Sequence, residues 1–180
     1  MVQRLLTRPT WCRSLWHWWP LVLAPLAVAG VYLAEALGRA ELISKGPHEV
    51  AGVVLLSIAA AVSGVRWAVG RERFHLVLLA LSVAFLCREI HFRGAHRGVY
   101  VAAGLIGAWA FAWRRPLLAS LADRPRGRWL VATMWSYLLA ILVQRRAFRG
   151  VLPNEAVLHS QLEEVLENVS HLLLVVVGLL

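Results

Sequence analysis

The sequence predicts an all-α polytopic integral membrane protein, with about six transmembrane helices in one bundle that covers residues 1–180. Hydrophobic residues make up 59% of the chain and the mean hydropathy is +0.64, well above the usage of soluble domains. Six apolar runs fill the sequence, and each is close to the roughly 20 residues that cross a hydrocarbon core about 30 Å thick. The gaps between these runs are too short for a soluble domain.

The six predicted helices follow one another with short connections. Their approximate bounds are residues 16–37, 50–69, 74–92, 98–113, 129–145 and 156–180. Turn-forming residues lie in the connections, at Gly46-Pro47, Gly70, Gly94, Pro125-Arg126-Gly127 and Gly150. Asn154 precedes the last run and is a suitable N-cap for it.

The first helix has an alternative interpretation as a cleaved signal peptide. Arg4, Arg8 and Arg13 precede an apolar stretch that contains Ala27-Val28-Ala29-Gly30, which resembles a cleavage site. Several tryptophans at the start of this stretch, and its apolar continuation to Leu37, favour an uncleaved helix. N-terminal sequencing of the mature protein distinguishes the two.

The charged and aromatic residues give the predicted bundle two different ends. If the helices alternate in direction, eleven of the nineteen basic residues fall on the side of the N-terminus and eight on the other. This excess predicts a cytoplasmic N-terminus in the inner (cell) membrane. Eight of the nine tryptophans also fall on the N-terminal side, namely Trp11, Trp16, Trp18, Trp19, Trp67, Trp109, Trp113 and Trp129.

The formal net charge of +9 does not predict nucleic-acid binding. The basic residues cluster between apolar runs and form no stripe interleaved with base-stacking aromatics outside the helices. Their placement instead predicts contact with the bilayer, and with anionic lipid headgroups in particular. Cys12 and Cys87 lie in separate segments and form no CxxC motif, so neither a redox pair nor a zinc knuckle is predicted.

Most acids and histidines fall at the end opposite the tryptophans, and the last helix carries the densest set. His159, Glu163, Glu167 and His171 follow at intervals of four residues, so they form one slowly winding stripe on that helix. Imidazole and carboxylate groups one turn apart are typical ligands of zinc and of paired metals in helical bundles. We therefore predict these four residues as ligands of a divalent metal such as Zn or Fe.

The third helix supplies a second polar wall. Glu89 belongs to a row of residues spaced by seven, with His75, Ser82 and His96, and this spacing places them nearly on one helix face. We predict Glu89 as the inward-facing group, and Glu164 or Glu89 as the acid or base of a catalytic site. Arg88, Arg145 and Arg146 lie at the same end and are the predicted ion-pair partners of these carboxylates.

Three functions are compatible with this polar pocket. A metal-binding protein or hydrolase would use a metal-activated water, although no HExxH, GxSxG, Walker or GxGxxG motif is present. A proton- or ion-coupled transporter or channel component would exchange protons on Glu89, Glu164 and Glu167. A structural subunit would use the same residues as an interhelical ion-pair network. The sequence does not choose between them.

Overall fold

The computed structural model describes residues 17–90, 95–121 and 124–180, and this part of the chain is helical and contains no β-strand. Its α-helices are α1 (Leu23–Ala36), α2 (Lys45–Gly70), α3 (Arg73–Glu89), α4 (Ala95–Ala112), α5 (Arg114–Leu121), α6 (Arg124–Gln144) and α7 (Glu155–Leu179). Short 3₁₀ helices, Trp19–Val22 and Ala40–Ile43, flank α1. The predicted all-α class is confirmed. Cys12 and the predicted helix ends at residues 16 and 91–92 lie outside the described residues.

Six of these helices coincide with the predicted apolar segments, and the short α5 is an addition. Within the described ranges, two segments are long and apolar enough to cross a membrane, Trp19–Ala36 and Glu41–Gly70. Val101–Ala112 is a shorter apolar helix. The sequence predicted six membrane crossings, whereas only these two segments of the described ranges meet the criteria of length and apolar composition.

Helix α7 forms the centre of the bundle. It packs along α2 and α6 and also contacts α1. Leu158, Leu162 and Leu166, at every fourth position, lie in an apolar cluster with residues of α1 and α6. Further along, Leu174 and Val177 lie in a second cluster with residues of α2 and α3. Polar residues on α7 are therefore placed in the interior of the bundle rather than on its surface.

The remaining helices surround this core. Helix α3 packs against α2, α4 packs mainly against α3, and α5 contacts α3 and α6. Gly178 permits a close approach of α7 to α2, because a β-carbon there would lie 3.2 Å from Ser63 Oγ and 3.4 Å from Val62 Cγ1.

Contacts between helices define two ends of the bundle. At one end, Lys45 lies near Glu164, and Gln144 donates a hydrogen bond to Glu163. We call this end, with residues 39–49, 88–89 and 144–168, the acid end. At the other end the rings of Trp19 and Trp129 are in contact, with centroids 5.3 Å apart. We call this end, with residues 17–19, 66–75, 109–121, 124–129 and 180, the tryptophan end.

Candidate functional site

Arg88 joins α3 to α7 at the acid end. Its guanidinium forms an ion pair with Glu167, and its Nη2 lies 3.4 Å from Glu89 Oε1. The side chains are largely buried, with 12% of Glu167 and 10% of Glu89 exposed. A carboxylate buried to this extent requires a cationic partner or a proton. Three of the predicted site residues thus meet in one interhelical cluster.

Glu164, the other predicted acid or base, lies beside this cluster and faces α2. Its carboxylate is 3.8 Å from Lys45 Nζ, which is also 3.3 Å from Glu49. More than half of the Lys45 side chain is exposed, so solvent screens these ion pairs and each contributes little to stability. Glu164 therefore lies between the buried polar cluster and the exposed Lys45 at the acid end.

Gly52 in α2 lies where three polar side chains of α3 and α7 converge. A β-carbon at this position would be 3.2 Å from Asn168 Oδ1, 3.6 Å from His171 Nδ1 and 3.8 Å from Glu89 Oε2. Because glycine has no side chain, the three groups can approach the α2 backbone. We call these four residues the Gly52 notch. Oxygen and nitrogen atoms that face one small space can hold a water molecule or a small cation.

Hydrogen bonds to His48 fix the orientation of Asn168. The side-chain nitrogen of Asn168 donates to His48 O at 2.9 Å and lies 3.1 Å from His48 Nδ1. Nε2 of the same imidazole lies 3.1 Å from Leu42 O. Nε2 must therefore carry the proton and Nδ1 must accept, because a carbonyl oxygen can only accept. With its nitrogen used in this way, Asn168 presents an acceptor oxygen to the notch.

The sequence prediction omits Asn168, Gly52 and Gln144. A signal for Asn168 was present, since it lies three residues before His171 and four after Glu164, which places it on the same face of α7. No such signal exists for Gly52, whose importance depends on how closely α2 approaches its neighbours. The spacing of residues along one helix does not determine how closely another helix approaches it.

His171 is the most deeply buried member of the notch, with 2% of its surface exposed. Its Nδ1 has no hydrogen-bond partner among the described residues. The imidazole lies edge-on to the Tyr137 ring, with centroids 5.8 Å apart. Buried polar atoms in proteins are nearly always hydrogen-bonded. An unpaired imidazole nitrogen that faces Glu89 and Asn168 is therefore a group able to bind something further.

The outer part of the α7 stripe makes separate contacts. His159 Nδ1 is 3.0 Å from a carboxylate oxygen of Glu155, and His159 Nε2 is 3.9 Å from Glu163 Oε2. Glu163 accepts a hydrogen bond of 2.8 Å from Gln144 in α6. His159 and Glu163 therefore lie near each other, whereas Glu167 pairs with Arg88 of α3 and His171 lies at the notch.

Those ligands also lie far apart. His159 and His171 are twelve residues apart, or about 18 Å at the rise of an α-helix, so one ion cannot contact both. Within the described part of the chain, no group of three His, Cys, Asp or Glu side chains is arranged to hold a metal ion. A Zn or Fe site at these four residues remains a prediction; of the four, only His171 lies at the notch, beside Glu89, which was predicted as a catalytic acid or base.

Arg145 and Arg146 lie away from the carboxylates that they were predicted to neutralise. Both are exposed, and neither forms an ion pair within the described residues. Arg146 adopts a left-handed backbone conformation, with φ of 56°. Backbone bonds from Arg146 N to Val143 O (2.7 Å) and from Ala147 N to Leu142 O (2.9 Å) complete a Schellman motif that ends α6. The contact to Glu163 comes from Gln144 instead.

A second polar cluster lies at the tryptophan end. Arg126 donates to Glu72 Oε2 at 3.0 Å and to Leu180 O at 2.7 Å, and Arg66 donates to the same carbonyl at 2.8 Å. His75 Nε2 is 3.7 Å from Glu72 Oε2. The arginines thereby bind an end carbonyl of α7, where positive charge is favoured by the helix dipole.

Buried polar side chains lie on the helices between the two clusters. Along α3, His75 and Ser82 are 2% and 0% exposed, so the predicted row that they form with Glu89 faces the interior. Ser63 of α2 is fully buried, and its Oγ has no partner among the described residues. On the α6 side, the hydroxyl oxygens of Ser136 and Ser170 lie 2.8 Å apart.

No family model, curated protein or solved structure matches this chain.

Proposed function

We propose that the chain is a multi-pass membrane protein of the inner membrane and acts as a proton- or cation-coupled carrier or channel component. In this arrangement α1, α2, α3, α4, α6 and α7 cross the bilayer, and the N-terminus lies in the cytoplasm. Many large apolar side chains lie on the outside of the bundle, among them Val101, Leu105, Met134 and Ile141, which are 49–67% exposed. Such a surface is typical of helices that face lipid rather than water.

The observation that carries the proposal is the buried polar row of α3. His75, Ser82 and Glu89 are spaced by seven residues, about 10 Å each at the rise of an α-helix. The row therefore extends over about 20 Å, or two thirds of a hydrocarbon core. Ionisable side chains inside a membrane bundle are costly and characteristically belong to ion pathways or proton relays.

Buried polar atoms of α3 and of the neighbouring helices α2 and α7 support such a pathway. The nitrogens His75 Nδ1 and His171 Nδ1 and the oxygen Ser63 Oγ are buried, and within the described residues they have no hydrogen-bond partner. Internal water molecules commonly satisfy buried polar atoms of this kind. Water between these positions would link protonatable groups through the bundle.

A carboxylate that is at least partly exposed lies near each end of the row. At the tryptophan end this group is Glu72, whose side chain is 45% exposed and lies next to His75. At the acid end it is Glu164, which contacts the exposed Lys45. A proton could thus enter at one end and leave at the other through Glu89.

Proton flux into proteoliposomes tests this proposal. With a potassium-diffusion potential and a pH-sensitive dye inside the vesicles, we expect the protein to raise proton uptake above that of protein-free liposomes. Glu89→Gln should reduce this flux at least tenfold, because an amide cannot exchange the proton. Glu41→Gln is the matched control, since Glu41 lies on the surface beside Arg39. Flux equal to that of empty liposomes, or unaffected by Glu89→Gln in folded protein, would contradict the proposal.

A structural role is the second candidate, and the ion pairs favour it. Arg88 with Glu167, and Lys45 with Glu164, each connect two helices that are separate in sequence. In that case Glu89→Gln would lower the stability of the bundle, and the protein would carry no proton flux.

A further inference from the structure

A cavity at the tryptophan end lies apart from the polar row. It has a volume of about 350 Å³, at the small end of ligand-binding pockets. Two short segments of the chain form it, the beginning of the described N-terminal part and the start of α6. Its lining consists of His17, Trp19, Pro20, Pro125, Arg128 and Trp129.

This lining combines apolar walls with positive charge. The rings of Trp19 and Trp129 meet edge to face, with an interplanar angle of 87°, and this contact connects the two segments. Arg128 contributes a permanent positive charge, and His17 contributes a further nitrogen donor or acceptor. No carboxylate is present among the lining residues.

Arg128 differs from Arg126 and Arg66 in having no hydrogen-bond or ion-pair partner within the part of the chain that the structure describes. Arg126, two residues earlier, binds Glu72 and Leu180 O, and Arg66 binds the same carbonyl. Within the described residues, the half-buried Arg128 forms no ion pair or hydrogen bond. A guanidinium withdrawn from water is stabilised by an anion, and its planar set of donors fits phosphate oxygens in a bidentate manner.

We propose that this cavity binds the phosphate group of an anionic phospholipid. Arg128 holds the phosphate, His17 lies beside it, and Trp19 and Trp129 pack against the apolar part of the headgroup region. The position is appropriate, because tryptophan in membrane proteins concentrates at the level of the headgroups. The inference depends on the multi-pass architecture but not on proton exchange.

Thermal unfolding of the full chain in detergent tests the inference. Phosphatidylglycerol, phosphatidylcholine or inorganic phosphate is titrated into the wild-type protein and into Arg128→Gln. We expect phosphatidylglycerol to raise the midpoint of unfolding of the wild type, and phosphatidylcholine and inorganic phosphate to raise it much less. Arg128→Gln should weaken the apparent affinity for phosphatidylglycerol about tenfold, the amount expected for one charge-assisted hydrogen-bonding group. Arg115→Gln is the matched control, because Arg115 is exposed near the same end and does not line the cavity.

Each other outcome overturns the inference. Equal stabilisation by phosphatidylcholine would show that the protein does not recognise headgroup charge. Equal stabilisation by inorganic phosphate would identify a free-anion site instead of a lipid site. An unchanged affinity in Arg128→Gln would exclude the cavity as the site. If Arg128→Gln does not fold, the affinity for phosphatidylglycerol is measured for Arg128→Lys and, separately, for Trp129→Phe. An unchanged affinity in both variants contradicts the proposal. These readouts do not involve proton flux, so the inference and the proposed transport function can fail separately.

Discussion

Replacing Arg88 by methionine removes the guanidinium next to Glu167 and Glu89 while it retains much of the apolar stem of the side chain. The change leaves the Glu167 carboxylate, which is 12% exposed, without the ion pair that the structure shows. Removing one partner of a fully buried ion pair costs about 3–5 kcal/mol. Because 28% of the Arg88 side chain is exposed, we expect a loss at the lower end of that range, about 3 kcal/mol.

Reversible unfolding in mixed detergent micelles measures this loss as a free energy. Arg145→Met is the matched control, because Arg145 is exposed and forms no ion pair within the described residues. We expect it to change the free energy of unfolding by less than about 0.5 kcal/mol.

A double-mutant cycle isolates the contribution of the pair. Arg88→Met combined with Glu167→Leu removes both charges, so the double variant should be more stable than the sum of the single losses predicts, by about 1–3 kcal/mol. Single losses that add to within about 0.3 kcal/mol would refute the interaction between Arg88 and Glu167. An Arg88→Met loss no larger than that of Arg145→Met would refute it as well.

Three further predictions concern helix contacts and ends. Gly52→Ala should destabilise the protein by about 1–2 kcal/mol, since the new methyl group would lie 3.2 Å from Asn168 Oδ1; an unchanged unfolding midpoint would contradict the close approach. Asn168→Leu should cost about 1 kcal/mol, because it removes the hydrogen bonds from the Asn168 amide to the backbone oxygen and to Nδ1 of the partly buried His48; an unchanged free energy of unfolding in the same assay would contradict these bonds. Arg146→Gly should stabilise the protein by up to about 1 kcal/mol, because glycine adopts a φ of 56° without steric cost; a lower midpoint would show that the Arg146 side chain makes a stabilising contact.

The helices could be predicted from the sequence because each apolar run is long. Two of the predicted turns were wrong, since Gly46-Pro47 lies in the first turn of α2 and Pro125-Arg126-Gly127 in the first turn of α6, where proline is tolerated. The α3 row could also be predicted, since helical spacing alone places His75, Ser82 and Glu89 on one face, and the structure buries that face. Helix α5 could not, because its eight residues begin with Arg114-Arg115-Pro116, a composition that also suits a connection between helices.

The contacts of the candidate site were harder to predict because they depend on distances between helices. The stripe of four residues on α7 suggested one metal site, but the rise of the helix spreads those residues over about 18 Å. Which arginine meets which glutamate depends on how α3 and α6 pack against α7. Arg88 therefore pairs with Glu167, whereas Gln144 rather than Arg145 or Arg146 reaches Glu163.

Labelling of single cysteines in intact cells tests the central claim most directly, namely that the bundle crosses a membrane with its two ends on opposite sides. In a background that lacks Cys12 and Cys87, one cysteine replaces Ala147 at the acid end and another, in a separate variant, replaces Arg115 at the tryptophan end; both positions are exposed. We predict that an impermeant thiol reagent added outside cells labels the Ala147 position, and labels the Arg115 position only after the membrane is broken. Equal labelling of both positions in intact cells would contradict the account.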